Sequence, residues 1–207
     1  MVGRSYLGLA KGLLAGDPVI LQQTAPTFFG LTVDGSLELA QMAVARLYDA
    51  TRGAVSIQRM LIHAGEEATS FQYADERAVE AQVKKWNAAI LALEPILESI
   101  RHRRNEWLAH LDPRTVANPA SLSAKASLSI PDLERAFRQT EEIILDMSSL
   151  YEGVIGELHF IGEDDYEVAL EWIRKAKCTF IENYEKEFHV AFDGPRPKDC
   201  SGPLLKM

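Results

Sequence analysis

The stretch Leu97–Pro113, LESIRHRRNEWLAHLDP, carries a helical apolar stripe with a charge set into it, and the fold reading turns on it. At ~100° per residue, Leu93, Leu97, Ile100, Leu108 and Leu111 fall within ~40–60° of one direction, and Trp107 borders them. Arg104 lies near the centre of that stripe. A guanidinium stays charged at any ordinary pH, so burying it without acceptors costs on the order of several kcal/mol. Arg104 therefore requires a partner: an internal carboxylate such as Asp49, a neighbouring subunit, or an anionic ligand such as a phosphate. Arg101, His102, Arg103, Arg104 and His110 concentrate positive charge in a chain whose formal net charge is -8. His110 falls ~100° from the stripe centre, at its edge. On a straight helix it is ~120° out of phase with Arg104 and ~20° from Arg103, so periodicity leaves open which arginine works beside it.

Outward from this helix, amphipathic patterns fill most of the chain. Pro26, Gly30 and Asp34-Gly35 predict a turn-rich stretch, followed by a helix capped by Ser36 that carries Leu37, Ala40, Val44, Leu47 and Tyr48 inward and is closed by Gly53. Ser56–Ala64 reads as a short helix. Asp75 caps a longer one with Val79, Val83, Trp86 and Ile90 on one side, and Pro95 kinks it or starts the Arg104 helix anew. Pro113 ends that helix, and the polar loop Asn118–Ser129 leads to Pro131-Asp132 and a helix with Leu133, Phe137, Ile144, Met147 and Leu150 inward. Gly162 breaks the pattern. A last helix from about Asp164 places Tyr166, Leu170, Ile173, Phe180 and Tyr184 on a broad apolar side. The single β-like run, Phe28–Val33, is too short for a sheet. These stripes bury against one another most simply in an all-α antiparallel helical bundle.

The 207 residues, 47% hydrophobic and 25% charged, suffice for one substantial core. The expected organisation is a single helical domain over 1–192, its core at about 35–160, and a flexible tail over 193–207. No apolar run reaches the ~18 residues of a membrane span. The apolar patch Leu7–Ala15 has no convincing cleavage site after it, which predicts a cytoplasmic protein. Cys178 and Cys200 lack metal-ligand spacing and are expected as free thiols. Glu66-Glu67 and Asp164-Asp165 diverge by ~100° on a helix and read as solvated or capping charges, so no metal and no cofactor is expected. His63, His159 and His189 read as structural, and Trp86, Trp107 and Trp172 as core or interface residues.

The residues Arg104-Asn105-Glu106-Trp107-Leu108-Ala109-His110 resemble the arginine-to-histidine signature of HEPN domains, here in the form R-N-x4-H. With Ala109–Asp112 downstream and Leu47–Asp49 ahead of Ser56-Ile57, the chain resembles AbiU-type HEPN proteins of bacterial abortive-infection systems. The resemblance spans about 35–160 and implies a HEPN-type helical bundle. It implies a metal-independent endoribonuclease in phage defence or a toxin–antitoxin system, with the composite site at the two-fold of a homodimer. Arg104 would hold the scissile phosphate, His110 would move protons for the ribose 2′-hydroxyl, and Asn105 would orient the site. Arg101, His102 and Arg103 would extend RNA binding. The acidic remainder of the chain predicts a small cleft rather than a long RNA groove.

A second reading stays open: a non-catalytic bundle in which Arg104 forms a structural ion pair and the domain binds a protein partner or senses a signal. In a third reading the chain is one half of a toxin–antitoxin pair controlled by nucleotidylation, with an antitoxin as its partner. Some HEPN toxins carry a tyrosine two residues after the motif histidine as a nucleotidylation acceptor; this chain has Asp112 there, which removes the obvious acceptor.

Overall fold

The computed structural model describes residues 2–51, 53–105, 126–153, 165–198 and 200. Among them there are eight α-helices and no strand: α1 Val2–Ala15, α2 Pro18–Gln23, α3 Pro26–Leu47, α4 Ile57–Glu66, α5 Glu76–Ala92, α6 Glu94–Arg103, α7 Ile130–Glu152 and α8 Asp165–Phe188, with a 3-10 turn at Ala68–Ser70. The chain is an all-α bundle, as its periodicity predicts. Pro113, the turn of Gly162, His159 and most of the Asn118–Ser129 loop lie outside the described residues. Among the described residues no helix is long and apolar enough to cross a membrane.

Backbone contacts divide the chain into two compact units, residues 1–7 with 38–160, and residues 8–37 with 161–207. In the first unit the caps fall where short polar side chains precede apolar runs. Ser56 Oγ accepts from the Arg59 N–H at 3.4 Å and Asp75 Oδ1 from the Ala78 N–H at 2.8 Å. Ser129 and Asp132 form a reciprocal capping box ahead of α7, with proline in the first turn. Pro95 starts α6 afresh, with Leu93 serving as the last cap of α5 and the first of α6. Gly153, at φ 69, closes α7 in the left-handed conformation that glycine adopts without penalty.

Val44, Leu61, Val79, Trp86, Leu133 and Phe137 are buried in this unit, and each large side chain contributes about 1.5–3 kcal/mol as an upper bound. Asp146 of α7 accepts from Trp86 Nε1 at 3.2 Å and from Gln82 Nε2 at 3.1 Å, which ties α5 to α7. Gly3 of α1 lies where a Cβ would come within 2.9 Å of the Phe137 ring, so only glycine permits that approach.

In the second unit, Leu13, Ile20 and Phe29 form a buried cluster with Val33, Leu170 and Ile173 packed on it. Asp17 caps α2 by accepting from the Val19 N–H at 2.9 Å, ahead of Pro18. Here the predicted turn and the Ser36 cap are corrected. α3 runs unbroken through Gly30, Asp34, Gly35 and Ser36, and Ser36 is a buried interior position. Each exposed glycine costs a helix about 1 kcal/mol, and burial of Phe29 in the cluster outweighs that. The β-like run Phe28–Val33 is helical for the same reason.

The expectation of free thiols is also corrected, because Cys178 and Cys200 are joined by a disulfide. A 22-residue sequence separation says nothing of distance. The chain leaves α8 at His189, φ 54, and turns back, which brings the two Cα atoms to 5.3 Å. The returning segment is held further by Glu185, which accepts from the Phe192 N–H at 2.8 Å and pairs with Arg196. Asp17 accepts from the Lys198 N–H at 2.7 Å. The described part of the proline-marked tail is therefore tied down. Phe180, expected on the apolar side of α8, is 59% exposed, and Trp172, expected in the core or at an interface, is 60% exposed and outside the core of this unit. The buried side of α8 is narrower than the sequence suggests and centres on Cys178 and Ile181.

Candidate functional site

The arginine-bearing helix is built as its stripe dictates. Leu93, Leu97 and Ile100 are buried to 1–2% exposure, and Arg104 follows them at the end of α6, where the stripe reaches the rim of the unit. Arg104 and Asn105 continue in a wider π-type turn, a feature that recurs where helices serve a site.

The four basic side chains of this segment have different surroundings. Arg101 reaches back two turns to Glu94, with Nη1 to Oε1 at 2.6 Å and Nη2 to Oε2 at 3.4 Å, and this carboxylate pushes the guanidinium above its ordinary value. His102 Nε2 lies 3.9 Å from Glu98. Arg103 is half-buried and donates through Nε to the carbonyl of Ala126 at 2.9 Å, while burial pulls its guanidinium below the ordinary value. Arg103 thus clamps α6 to the chain at the fully buried Ala126.

Arg104 has a different partner set. Its Nε donates to Asn105 Oδ1 at 3.0 Å, and its Nη1 stands 3.7 Å from Asp49 Oδ2. The Asp49 contact is an ion pair rather than a hydrogen bond. Asp49 is itself fixed, because Oδ1 accepts from the Thr51 N–H at 2.9 Å. The Thr51 hydrogen bonds first, and then the charge of Arg104, hold its carboxyl below the ordinary 3.8. The carboxylate named from sequence as an internal acceptor for Arg104 stands beside it.

The arrangement brings Arg104, Asn105 and Asp49 together. It gives Arg101 and Arg103 other partners, and His110 and Trp107 lie outside the described residues. Tyr48, next to Asp49, is a packing residue. It is 3% exposed, and its hydroxyl bonds Thr140 Oγ1 at 2.8 Å while burial raises its phenol above 10.0. Thr140 was missed by sequence reading, although a hydroxyl at the fourth place of the Leu133, Ala136, Phe137 stripe carries the same signal as Arg104. It donates onward to the Ala136 carbonyl at 2.9 Å. Chemically, Arg104 offers a planar cationic fork at a solvent boundary with a second donor, the Asn105 amide, beside it; such a pair binds phosphate oxygens.

Among families of known proteins, the model for AbiU2, a HEPN family, matches residues 18–171, which is 154 of the 207 residues. The match extends past both ends of the span marked by the motif resemblance and includes Asp49, Arg104, Asn105 and the position of His110. No curated protein and no solved structure matches the chain.

Proposed function

This chain belongs to the AbiU2 family of HEPN proteins, which carries an abortive-infection-related role, and on that premise we propose that it is a metal-independent endoribonuclease acting in phage defence or in a toxin–antitoxin pair. The observation that supports this reading is the state of Arg104, whose side chain stays 31% exposed beside Asn105 and is held to Asp49 only at 3.7 Å. A purely structural arginine would be expected in closer, bidentate contact.

In this reading Arg104 takes the non-bridging oxygens of the scissile phosphate, exchanging Asp49 for the ligand. The Asn105 amide donates to the same group. His110 accepts the proton of the ribose 2′-hydroxyl as it attacks phosphorus, and the proton returns to the departing 5′-oxygen, leaving a 2′,3′-cyclic phosphate. Arg101, His102 and Arg103 line the approach as RNA-binding cations. The active form is a homodimer in the cytoplasm, with the motif helices meeting at the two-fold.

The same Arg104–Asp49 pair favours a second reading, a non-catalytic bundle that binds a protein partner or senses a signal. Incubating purified protein with total RNA in chelator, beside His110→Ala and Arg104→Ala, separates the two. Cleavage that survives chelation, leaves 2′,3′-cyclic ends and falls ~10²–10⁴-fold in a folded His110→Ala variant supports the ribonuclease. Full activity in that variant overturns the assignment.

A further inference from the structure

α4 and α7 both pack on α5, and between them lies an open groove of about 730 Å³. It belongs wholly to the first unit and contains none of the motif residues. Its floor is apolar: Met60 and Ala64 from α4, Phe71, and Ile144 and Met147 from α7. Two of these five are methionines, whose unbranched side chains adapt to an incoming apolar surface. At the mouth stand Val55, 93% exposed, and Tyr151, 45% exposed and stacked edge-on against Phe71.

The rim is polarised along its length. Arg59 lies in the first turn of α4, a turn with no acidic residue, and none of the described carboxylates pairs with it. Glu67 follows eight residues later, about 12 Å along the axis. Glu152 stands at the same end, since its neighbour Tyr151 packs on Phe71 with ring centroids 5.3 Å apart. Neither glutamate is in an ion pair among the described residues. Between the two ends His63 faces Glu66 at 3.3 Å.

We propose that this groove docks an amphipathic α-helix of a partner protein, with carboxylates in the partner helix's first turn meeting Arg59 and cations in its last turn meeting Glu67 and Glu152. Several observations select this occupant. The groove is open and is lined along α4 from Arg59 to Glu67, about 12 Å, which accepts about two helical turns of apolar anchors. Its charge order matches the one a helix favours for itself, acidic at the amino end and basic at the carboxyl end. A nucleic acid would meet an apolar floor and two uncompensated glutamates. Gly53–Ser56, which line the Arg59 end, follow Asp49, the counter-ion of Arg104, by four residues in sequence. The proposal stands whether or not Arg104 serves RNA cleavage.

The test uses the full chain and two labelled synthetic amphipathic helices of about 14 residues, one with glutamates first and lysines last, the other with the charges exchanged. Fluorescence anisotropy is expected to show the first binding about tenfold tighter. Arg59→Glu combined with Glu67→Lys and Glu152→Lys, all at exposed positions, is expected to invert the preference. Met147→Lys removes binding of both peptides, and His110→Ala leaves it unchanged, which separates this site from the ribonuclease assignment. Equal affinities for the two peptides, or no response to the charge variants, overturn the proposal. A wild-type dimer that Arg59→Glu dissociates overturns it too, because the groove is then filled by a second copy of the chain.

Discussion

Arg104 and Asp49 face each other at 3.7 Å with 31% and 30% of their side-chain surfaces exposed. That geometry lies between a sealed structural pair and an open phosphate-binding arginine, and on the ribonuclease reading Asp49 is the counter-ion that the scissile phosphate displaces. Water screens such a pair, so it adds little to stability.

Asp49→Asn is therefore expected to leave the urea unfolding midpoint nearly unchanged while increasing affinity for a short RNA several-fold, read by filter binding. Reduced RNA affinity in the folded variant contradicts the displacement. The pH dependence is fixed by sign. The folded carboxyl titrates below 3.8, so what it contributes is fully present above 3.8 and is lost as pH falls through the lower folded value. On the ribonuclease reading, the rate profile of Asp49→Asn between about pH 5 and 8 should keep the shape of the wild type, because a carboxyl held below 3.8 does not change charge in that range.

Tyr48→Phe tests the buried pair behind the site. The Tyr48 hydroxyl bonds Thr140 Oγ1 at 2.8 Å, and the variant leaves that oxygen with its bond to the Ala136 carbonyl alone. A loss of about 0.5–1.5 kcal/mol is expected from denaturant unfolding. Because burial raises the folded phenol above 10.0, its stabilising effect is fully present below pH 10.0 and is lost as pH rises through the higher folded value. Wild-type stability should consequently fall more steeply than that of Tyr48→Phe in strong alkali.

The elements legible in the sequence are those whose start signals and apolar stripes agree. Ser56, Asp75 and the Ser129–Asp132 box cap helices where spacing places them, and Pro95 begins a helix. Arg104 was legible as a misplaced charge, and Asp49 as an acceptor for it. Local signals misled where tertiary burial was stronger. Gly30 and Gly35 suggest a turn, yet both lie inside the helical span of α3, whose Phe29 is buried in the core cluster. The disulfide and the roles of Arg103 and Glu185 depend on chain reversals, and periodicity carries no information on distance across a reversal.

Homodimerisation through the face of the arginine-bearing helix follows from the ribonuclease reading, since a composite site needs two copies. Sedimentation at tens of micromolar should give a dimer, and Trp107→Glu should shift it toward monomer with parallel loss of RNA cleavage. A dimer that persists in Trp107→Glu with cleavage intact places the interface elsewhere.

The disulfide gives a prediction independent of the motif. Cys178 and Cys200 close a loop 22 residues apart in sequence, for which the chain-entropy account gives about 3 kcal/mol. Cys200→Ser, or a thiol reductant, is expected to lower the thermal midpoint and to open the 192–198 segment to limited proteolysis. Residual holding comes from Glu185, whose carboxyl is kept below 4.5 first by the Phe192 N–H and then by Arg196. That contribution is present above 4.5 and is lost as pH falls through the lower folded value. Cleavage of the reduced protein by an acid-active protease should thus accelerate further as pH falls below 4.5 through the lower folded value, while the oxidised protein stays protected. Identical melting and proteolysis with and without reductant would show that the disulfide does not hold this segment.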